Sequence, residues 1–330
     1  MWRYLPVLPD VDPVTLGEGW TPMLHSRRYP GLSIKEEGVN PGGTVAARGM
    51  SMVVSMARQF GVQQLAASAT VNAAGALAAY AAAAGVAVHL FIPGTAPIAD
   101  SSEAAAFGAH VTFVNGSISD CERMIAERVV DDGWSDVSTL EALFRIEGDK
   151  TMGCELVEQL GWEYPDAVIY PVRSNAELAS IWKAFDEMEA LGWAKPGKRP
   201  KLIAVRAAVG TATRRAFAEE ASQPHSVPAV IDVPREWEGT NVDIGEEEIL
   251  ASRREWAREE GMLLGMDGSA AAAAFDRLLN TGFLTPSDRV VLVNPRSGFK
   301  DADRIAGAMQ PANERKLPQR SPVGGIITPV

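Results

Sequence analysis

Cysteine and histidine are scarce in this 330-residue chain, which has two of the first and four of the second. Cys121 and Cys154 are too few for a disulfide framework and lack the spacing of a metal site, so a reducing, cytoplasmic setting is the expectation. No stretch reaches the roughly 20 apolar residues of a membrane span. The Ala-rich segment from Ala66 to Ala87 comes nearest, and Asn72 interrupts it. The N-terminus, Met-Trp-Arg-Tyr-Leu-Pro, lacks the unbroken apolar run of a signal peptide. Positive charge is short as well, with 31 Lys and Arg against 42 Asp and Glu and a formal net charge of −11. Nucleic acids and anionic membranes attract cationic surfaces, so neither is an expected partner. No His/Cys/Asp/Glu cluster has metal-ligand spacing, no Ser/His/Asp set can be assembled, and no repeat of fixed period is visible. What remains is an ordinary globular composition, 46% hydrophobic and 22% charged, long enough for a substantial core and two lobes.

Short apolar runs alternate with helical stretches along the chain, the pattern of an α/β fold with mostly parallel sheets covered by helices. Strands are expected at Gln64–Ala67, Ala87–Ile92, His110–Val114, Ala167–Tyr170, Lys201–Val205 and Arg289–Val293. Helices are expected from Asn72 to Ala84, with Gly85 as C-cap, and over Ser102–Gly108, Ser119–Val129, Lys150–Leu160, Glu177–Leu191, Glu246–Glu260 and Ser269–Asn280. Two βα sets emerge, one from about 50 to 146 and one from about 147 to 330, with the first 49 residues preceding both. The tail from Gln310 carries four prolines and reads as a surface loop or an arm toward a partner subunit.

Five segments in order carry more specific information. They are Thr15-Leu-Gly-Glu-Gly-Trp-Thr-Pro22, Leu32 through Asn40-Pro-Gly-Gly-Thr-Val-Ala-Ala-Arg48-Gly49, the helix Asn72–Gly85, Phe144-Arg-Ile-Glu-Gly-Asp-Lys-Thr151, and Glu155–Trp162. Together they resemble threonine synthase and related fold-type II pyridoxal-phosphate enzymes, the tryptophan synthase β-like group, over most of the chain. The resemblance implies a two-lobed fold. Residues 1–49 plus 147–330 would form the large domain and 50–146 a smaller inserted one, with the active-site cleft between them.

At the cofactor positions the resemblance breaks down. The family's Schiff-base lysine corresponds to Ala46, and an alanine cannot form an imine. The glycine-rich phosphate loop corresponds to Pro171–Leu178, with Arg173, Ser174 and Asn175 where glycine, asparagine and glycine are usual. Glycines let backbone N–H groups close on a phosphate, so this loop is a poor cradle. The hydroxyl residue that meets the pyridine nitrogen corresponds to Pro295, and Val71 replaces a glycine of the substrate loop. A single engineered change could explain Ala46 but not the others, so divergence is the reading adopted.

No covalently bound pyridoxal phosphate is therefore expected. The first reading is a cofactor-independent lyase, cyclase or isomerase acting on a small anionic, amino-acid-derived metabolite in the vacated pocket. Arg173 and Arg296 would be its new anion contacts, since guanidinium groups pair bidentately with carboxylates and phosphates. Ser68, Thr70, Ser174, Asn175 and Ser297 would help to bind substrate, although hydroxyls and amides there could equally cap helices. Thr44, Asn72, Glu18 and Asp267 are the catalytic candidates, the two acids only if burial brings their pKa toward neutrality. Glu37 and His25 are weaker ones, and Arg48 reads as a structural ion-pair residue. The alternatives are a threonine synthase-type enzyme that holds pyridoxal phosphate noncovalently or through another lysine, Lys35, Lys150 or Lys300, and a noncatalytic binding or scaffolding relative. A homodimer is the expected assembly.

Overall fold

The computed structural model describes residues 1–68, 71–94, 98–129, 131–172, 176–194, 197–208 and 239–301, without the side chains of 71–72, 98–100 and 208. Met1–Lys300 forms one compact unit, and a second runs from Asp301 to Val330.

Most of the strands follow from short apolar runs, and the central ones are buried on both faces. In chain order they are β1 (Met23–His25), β2 (Leu32–Glu36), β3 (Gln64–Ser68), β4 (Ala87–Pro93), β5 (His110–Val114), β6 (Ser135–Asp136), β7 (Ala167–Pro171), β8 (Lys201–Ala208), β9 (Gly239–Gly245) and β10 (Val290–Asn294). They form two sheets, ordered β1-β2-β10-β7-β8-β9 and β5-β4-β3-β6. Every pairing is parallel except the β1–β2 hairpin. In the middle of the larger sheet β7 and β10 are buried at every residue, as parallel strands covered on both sides must be.

The helices are α1 (Ala46–Gln59), α2 (Val71–Ala84), α3 (Ile98–Ala106), α4 (Ile118–Arg128), α5 (Val137–Leu140), α6 (Ile146–Asp149), α7 (Thr151–Gln159), α8 (Ala176–Ala190), α9 (Glu246–Glu259) and α10 (Met266–Asn280), with a π turn at Glu141–Arg145 between α5 and α6. Alternate strand residues divide the core of the larger sheet. Ile34, Ile169, Ile203 and Leu292 pack with Trp256 and Phe275 on the α9–α10 side. Val168, Tyr170, Leu202 and Val293 pack with Leu156, Ile181 and Phe185 on the α7–α8 side. In the smaller sheet Leu65, Val88, Leu90 and Ile92 pack against α1 and α2.

All six expected strands are present, five within a residue and β8 running three residues further, to Ala208, and Gly85 ends α2 with a φ of +70°. The helix expected to begin at Ser102 begins at Ile98. Strand β2 lies in the segment from Leu32 that the resemblance reads as the strand leading to the lysine position, whereas β1, β6 and β9 were not anticipated: β1 and β6 span three and two residues, and β9, Gly-Thr-Asn-Val-Asp-Ile-Gly, is polar at alternate positions. Both cysteines are buried and free, and burial pushes the Cys121 thiol up to about 11 and Cys154 to about 12. Among the described residues no helix is long and apolar enough to cross a membrane. The tail from Gln310 lies outside the described residues.

Candidate active site

The carboxyl ends of β2, β10 and β7 lie side by side, the edge at which parallel α/β sheets gather ligands. From the end of β2 the chain passes through Gly42 and Gly43, whose φ values of +68° and +65° suit residues without a Cβ. It then runs antiparallel to the segment leaving β10. Thr44 bridges Arg296, Val45 N–H donates to the Pro295 carbonyl at 2.8 Å, and Ser297 N–H donates to the Gly43 carbonyl at 2.9 Å. Leu264 in turn bridges Ser297 just before α10. The fold thus brings Thr44, Ala46, Arg296, Ser297 and the α10 first turn carrying buried Asp267 into one neighbourhood.

Local roles are visible for several of these. Thr44 is buried and its Oγ1 accepts from Ala46 N–H at 3.3 Å, a capping contact at the head of α1. Ser297 Oγ accepts from Phe299 N–H at 3.3 Å. Ser68 is half-buried at the carboxyl end of β3. Thr70, Arg173, Ser174 and Asn175 lie outside the described residues, as does the Asn72 side chain.

Beneath α1 lies a buried charge network. Arg48 is fully enclosed and makes paired hydrogen bonds to Glu37, at 2.7 and 2.8 Å, and to Glu155, at 2.7 Å on each oxygen. Lys35 Nζ, equally buried, donates to Glu155 at 3.0 Å, Gln159 at 2.8 Å and the Thr21 carbonyl at 2.9 Å. Two cations meet two anions, so burial alone would push Glu37 up but the Arg48 charge outweighs it and holds the carboxyl low. Arg48 is the structural ion-pair residue the sequence suggests, and Glu37 belongs to the same network.

Glu18 corrects the expectation of a catalytic acid. Its carboxylate accepts from Tyr80 hydroxyl at 2.6 Å, Ser51 hydroxyl at 2.9 Å, Leu16 N–H at 3.0 Å and Thr15 hydroxyl at 3.2 Å. Burial raises its pKa, but these donors together bring it below the ordinary carboxylate range. A carboxylate held this way is a brace for the Thr15–Pro22 turn and a poor proton acceptor. His25 is exposed on β1, its Nδ1 3.0 Å from Ser33 Oγ.

Two acids that sequence reading passed over carry the opposite shift. Glu36 ends β2, where both oxygens accept from Asn294 Nδ2 at 2.8 and 2.9 Å and one from Gly38 N–H at 2.9 Å; burial still keeps its pKa raised. Asp149 ends α6, with Arg145 Nε 3.4 Å away, and burial lifts it to about 6. An acid at the last position of a buried strand was the available signal for Glu36; nothing local marked Asp149.

Residue 46 presents a buried methyl group where α1 begins. The three lysines considered as substitutes are all engaged: Lys35 as above, Lys150 with Glu147 and Glu187, and Lys300 with Glu103 at 2.8 Å. The last pair joins α3 to the turn after β10. Glu103→Gln is expected to lower stability in urea unfolding by about 1 kcal/mol, the scale of a partly exposed ion pair. Among the described residues no group of three or more His, Cys, Asp or Glu could hold a metal.

Residues 14–295 match the family described as "Pyridoxal-phosphate dependent enzyme". Among characterised relatives, threonine synthase of Methanocaldococcus jannaschii is 29% identical over 338 residues, covering 94% of this chain and 83% of its own. Threonine synthase of Mycobacterium bovis is 30% identical over 319 residues, covering 91% and 87%. Among solved structures, O-ureido-L-serine synthase superposes with a TM-score of 0.73 at 19% identity, over 93% of this chain and 98% of that one. That likeness establishes the fold: two mostly parallel sheets covered by helices, as in fold-type II enzymes.

Proposed function

The chain belongs to the pyridoxal-phosphate-dependent enzyme family, and from that premise we propose a threonine synthase-related lyase or isomerase that forms no imine between cofactor and protein. Its substrate is a small anionic metabolite derived from an amino acid, bound in a cleft between the large domain and the inserted segment 50–146. The observation that carries this reading is Ala46. The resemblance aligns it with the Schiff-base lysine, and the three other lysines weighed for that role are each committed to carboxylates. Pro295 supports it, because a proline has neither hydroxyl nor N–H to offer a ring nitrogen and its carbonyl already accepts from Val45. These residues do not fit a lysine-anchored cofactor, and no step is routed through one.

Without a pyridinium electron sink, removing a proton from an α-carbon is much harder. The substrate class that suits the site therefore carries its own activation, a good leaving group or a conjugated acceptor. Arg296, at the strand ends beside Thr44, is the cation proposed to meet its anionic group.

A second reading keeps pyridoxal phosphate as a noncovalent guest. The family match over residues 14–295 and the threonine synthase relatives favour it directly. Adding pyridoxal phosphate to the purified protein and reducing with borohydride tests both. On either reading no adduct is fixed to the chain; a bound-aldehyde spectrum removed by dialysis selects the second. A borohydride-fixed adduct on a specific lysine would overturn the first reading and its premise about residue 46.

A further inference from the structure

We propose that the surface cavity between the carboxyl ends of α7 and α8 binds a small alkylated ammonium ion, a cation whose nitrogen carries methyl groups in place of hydrogens. Trp162 leads into β7 and Trp193 into β8, so the cavity lies at the amino ends of parallel strands whose carboxyl ends carry the candidate active site. It is therefore a second site, independent of the function proposed above.

The sequence builds its walls twice over. Helix α7 runs into Leu160-Gly161-Trp162 and α8 into Leu191-Gly192-Trp193. In both copies the glycine takes a positive φ, +76° and +69°, and the chain turns off the helix in the same way. Gly161 N–H donates to the Glu158 carbonyl at 3.0 Å and Trp162 N–H to Val157 at 2.8 Å; Gly192 N–H donates to Glu189 at 3.1 Å and Trp193 N–H to Met188 at 2.9 Å. Because α7 and α8 pack on the same side of the larger sheet, the two turns bring their indoles together, 6.0 Å apart with planes inclined by 66°. Tyr4, on the 3-10 turn Trp2–Val7, adds a third ring 6.3 Å from Trp193 and inclined by 44°. These three rings, with Glu158 and Arg3, line a cavity of about 290 Å³.

Backbone strain marks the same place. Among the described residues, the non-glycine positions with positive φ are Trp20, at +48°, and Trp162, at +64°. Bulky side chains avoid that region, and Trp162 keeps 37% of its surface exposed, so burial in the core does not account for holding it there. Arg3 shows what the rings attract. Its guanidinium lies 4.0 Å from the centre of the Trp20 ring and 5.8 Å from that of Tyr4.

The lining selects the kind of cation. Aromatic faces attract positive charge, and helix carboxyl ends favour it as well. Glu158 contributes an anion, but one of its oxygens already accepts from Arg3 and the other from the Tyr4 hydroxyl, each at 2.6 Å. A primary ammonium needs acceptors for its three N–H groups. A methylated one needs ring faces and a nearby negative charge, which is what this cavity holds.

Choline chloride is the probe, and its uncharged carbon analogue dimethylbutanol is the control. With ¹⁵N-labelled indoles, NMR titration should show saturable shifts on adding choline, and binding of the alcohol about fivefold weaker or more, the scale of a cation–ring attraction. Trp162→Leu should weaken choline binding by a similar factor. Glu158→Gln should weaken it too, and serves alone should Trp162→Leu not fold. The absence of saturable shifts, equal affinity for choline and the alcohol, or binding unchanged by the substitutions overturns the proposal. So does a dimer in sedimentation that Trp162→Leu dissociates while choline has no effect, since the rings would then be a contact between copies of the chain. None of these measurements involves residue 46 or turnover, so failure here leaves the proposed function standing.

Discussion

Arg48→Met is expected to cost about 3–5 kcal/mol of unfolding free energy at pH 7, enough to leave a marginal protein largely unfolded. Methionine fills much of the volume, so the loss is electrostatic rather than a cavity. Glu37 and Glu155 are both wholly enclosed, and each receives two hydrogen bonds from the one guanidinium. Removing it leaves Lys35 to compensate one carboxylate, Glu155, and strands Glu37 with only Thr21 and Asn40 as donors. The pH dependence should invert as well. With Arg48 present, both carboxyls are held below their ordinary range, so their contribution is full above that range and fades as pH falls through the depressed values. Without it, burial raises them, and the variant should be least stable in neutral or alkaline solution and recover as acid neutralises the stranded charge. Urea unfolding at pH 4, 6 and 8 measures this; a cost under about 1 kcal/mol at all three would mean that the network only fills space.

The reason this network was half legible lies in the distances it spans. Arg48 stands out in the sequence as a cation inside an apolar run, and an ion-pair role follows from burial physics alone. Its partner Glu155 is 107 positions away, and only the packing of α7 beneath α1 brings them together. Strands behaved similarly. Runs such as Val290–Asn294 announce themselves because both faces are covered, whereas β9 pairs, among the described residues, with β8 alone and alternates polar residues that read as a loop. At the site, the motif order placed the segments around Thr44 and Arg296, and the observed bridge joins them. Glu36 and Asp149 were missed because an acid's pKa depends on what folds over it, which no local pattern encodes. Glu18 was misjudged for the same reason in reverse: four donors converge on it from the Thr15–Pro22 turn, α1 and α2.

Asp149→Asn is expected to stabilise the protein at pH 8 and to leave it unchanged or weaker at pH 3.5. The folded pKa of about 6 lies above the ordinary 3.8, so the folded state binds the proton more tightly than the unfolded chain does. The favourable contribution of the protonated acid is complete below pH 3.8 and is lost as pH rises through 6; above that a constant penalty remains. At 1.36 kcal/mol per pKa unit the full penalty is about 3 kcal/mol, a value in which Arg145's attraction is already counted, so a net gain of up to about 3 kcal/mol is the expected reading. Asparagine keeps the shape and a hydrogen-bond acceptor for Arg145 while removing the charge. Thermal unfolding of both proteins across pH 3.5–8 resolves the crossing. If the variant is instead weaker at pH 8, the Arg145 pair dominates and Asp149 is an ordinary structural anion. If it is stronger, the chain carries an ionised group that its own fold disfavours. Such destabilising charges concentrate where proton chemistry needs them.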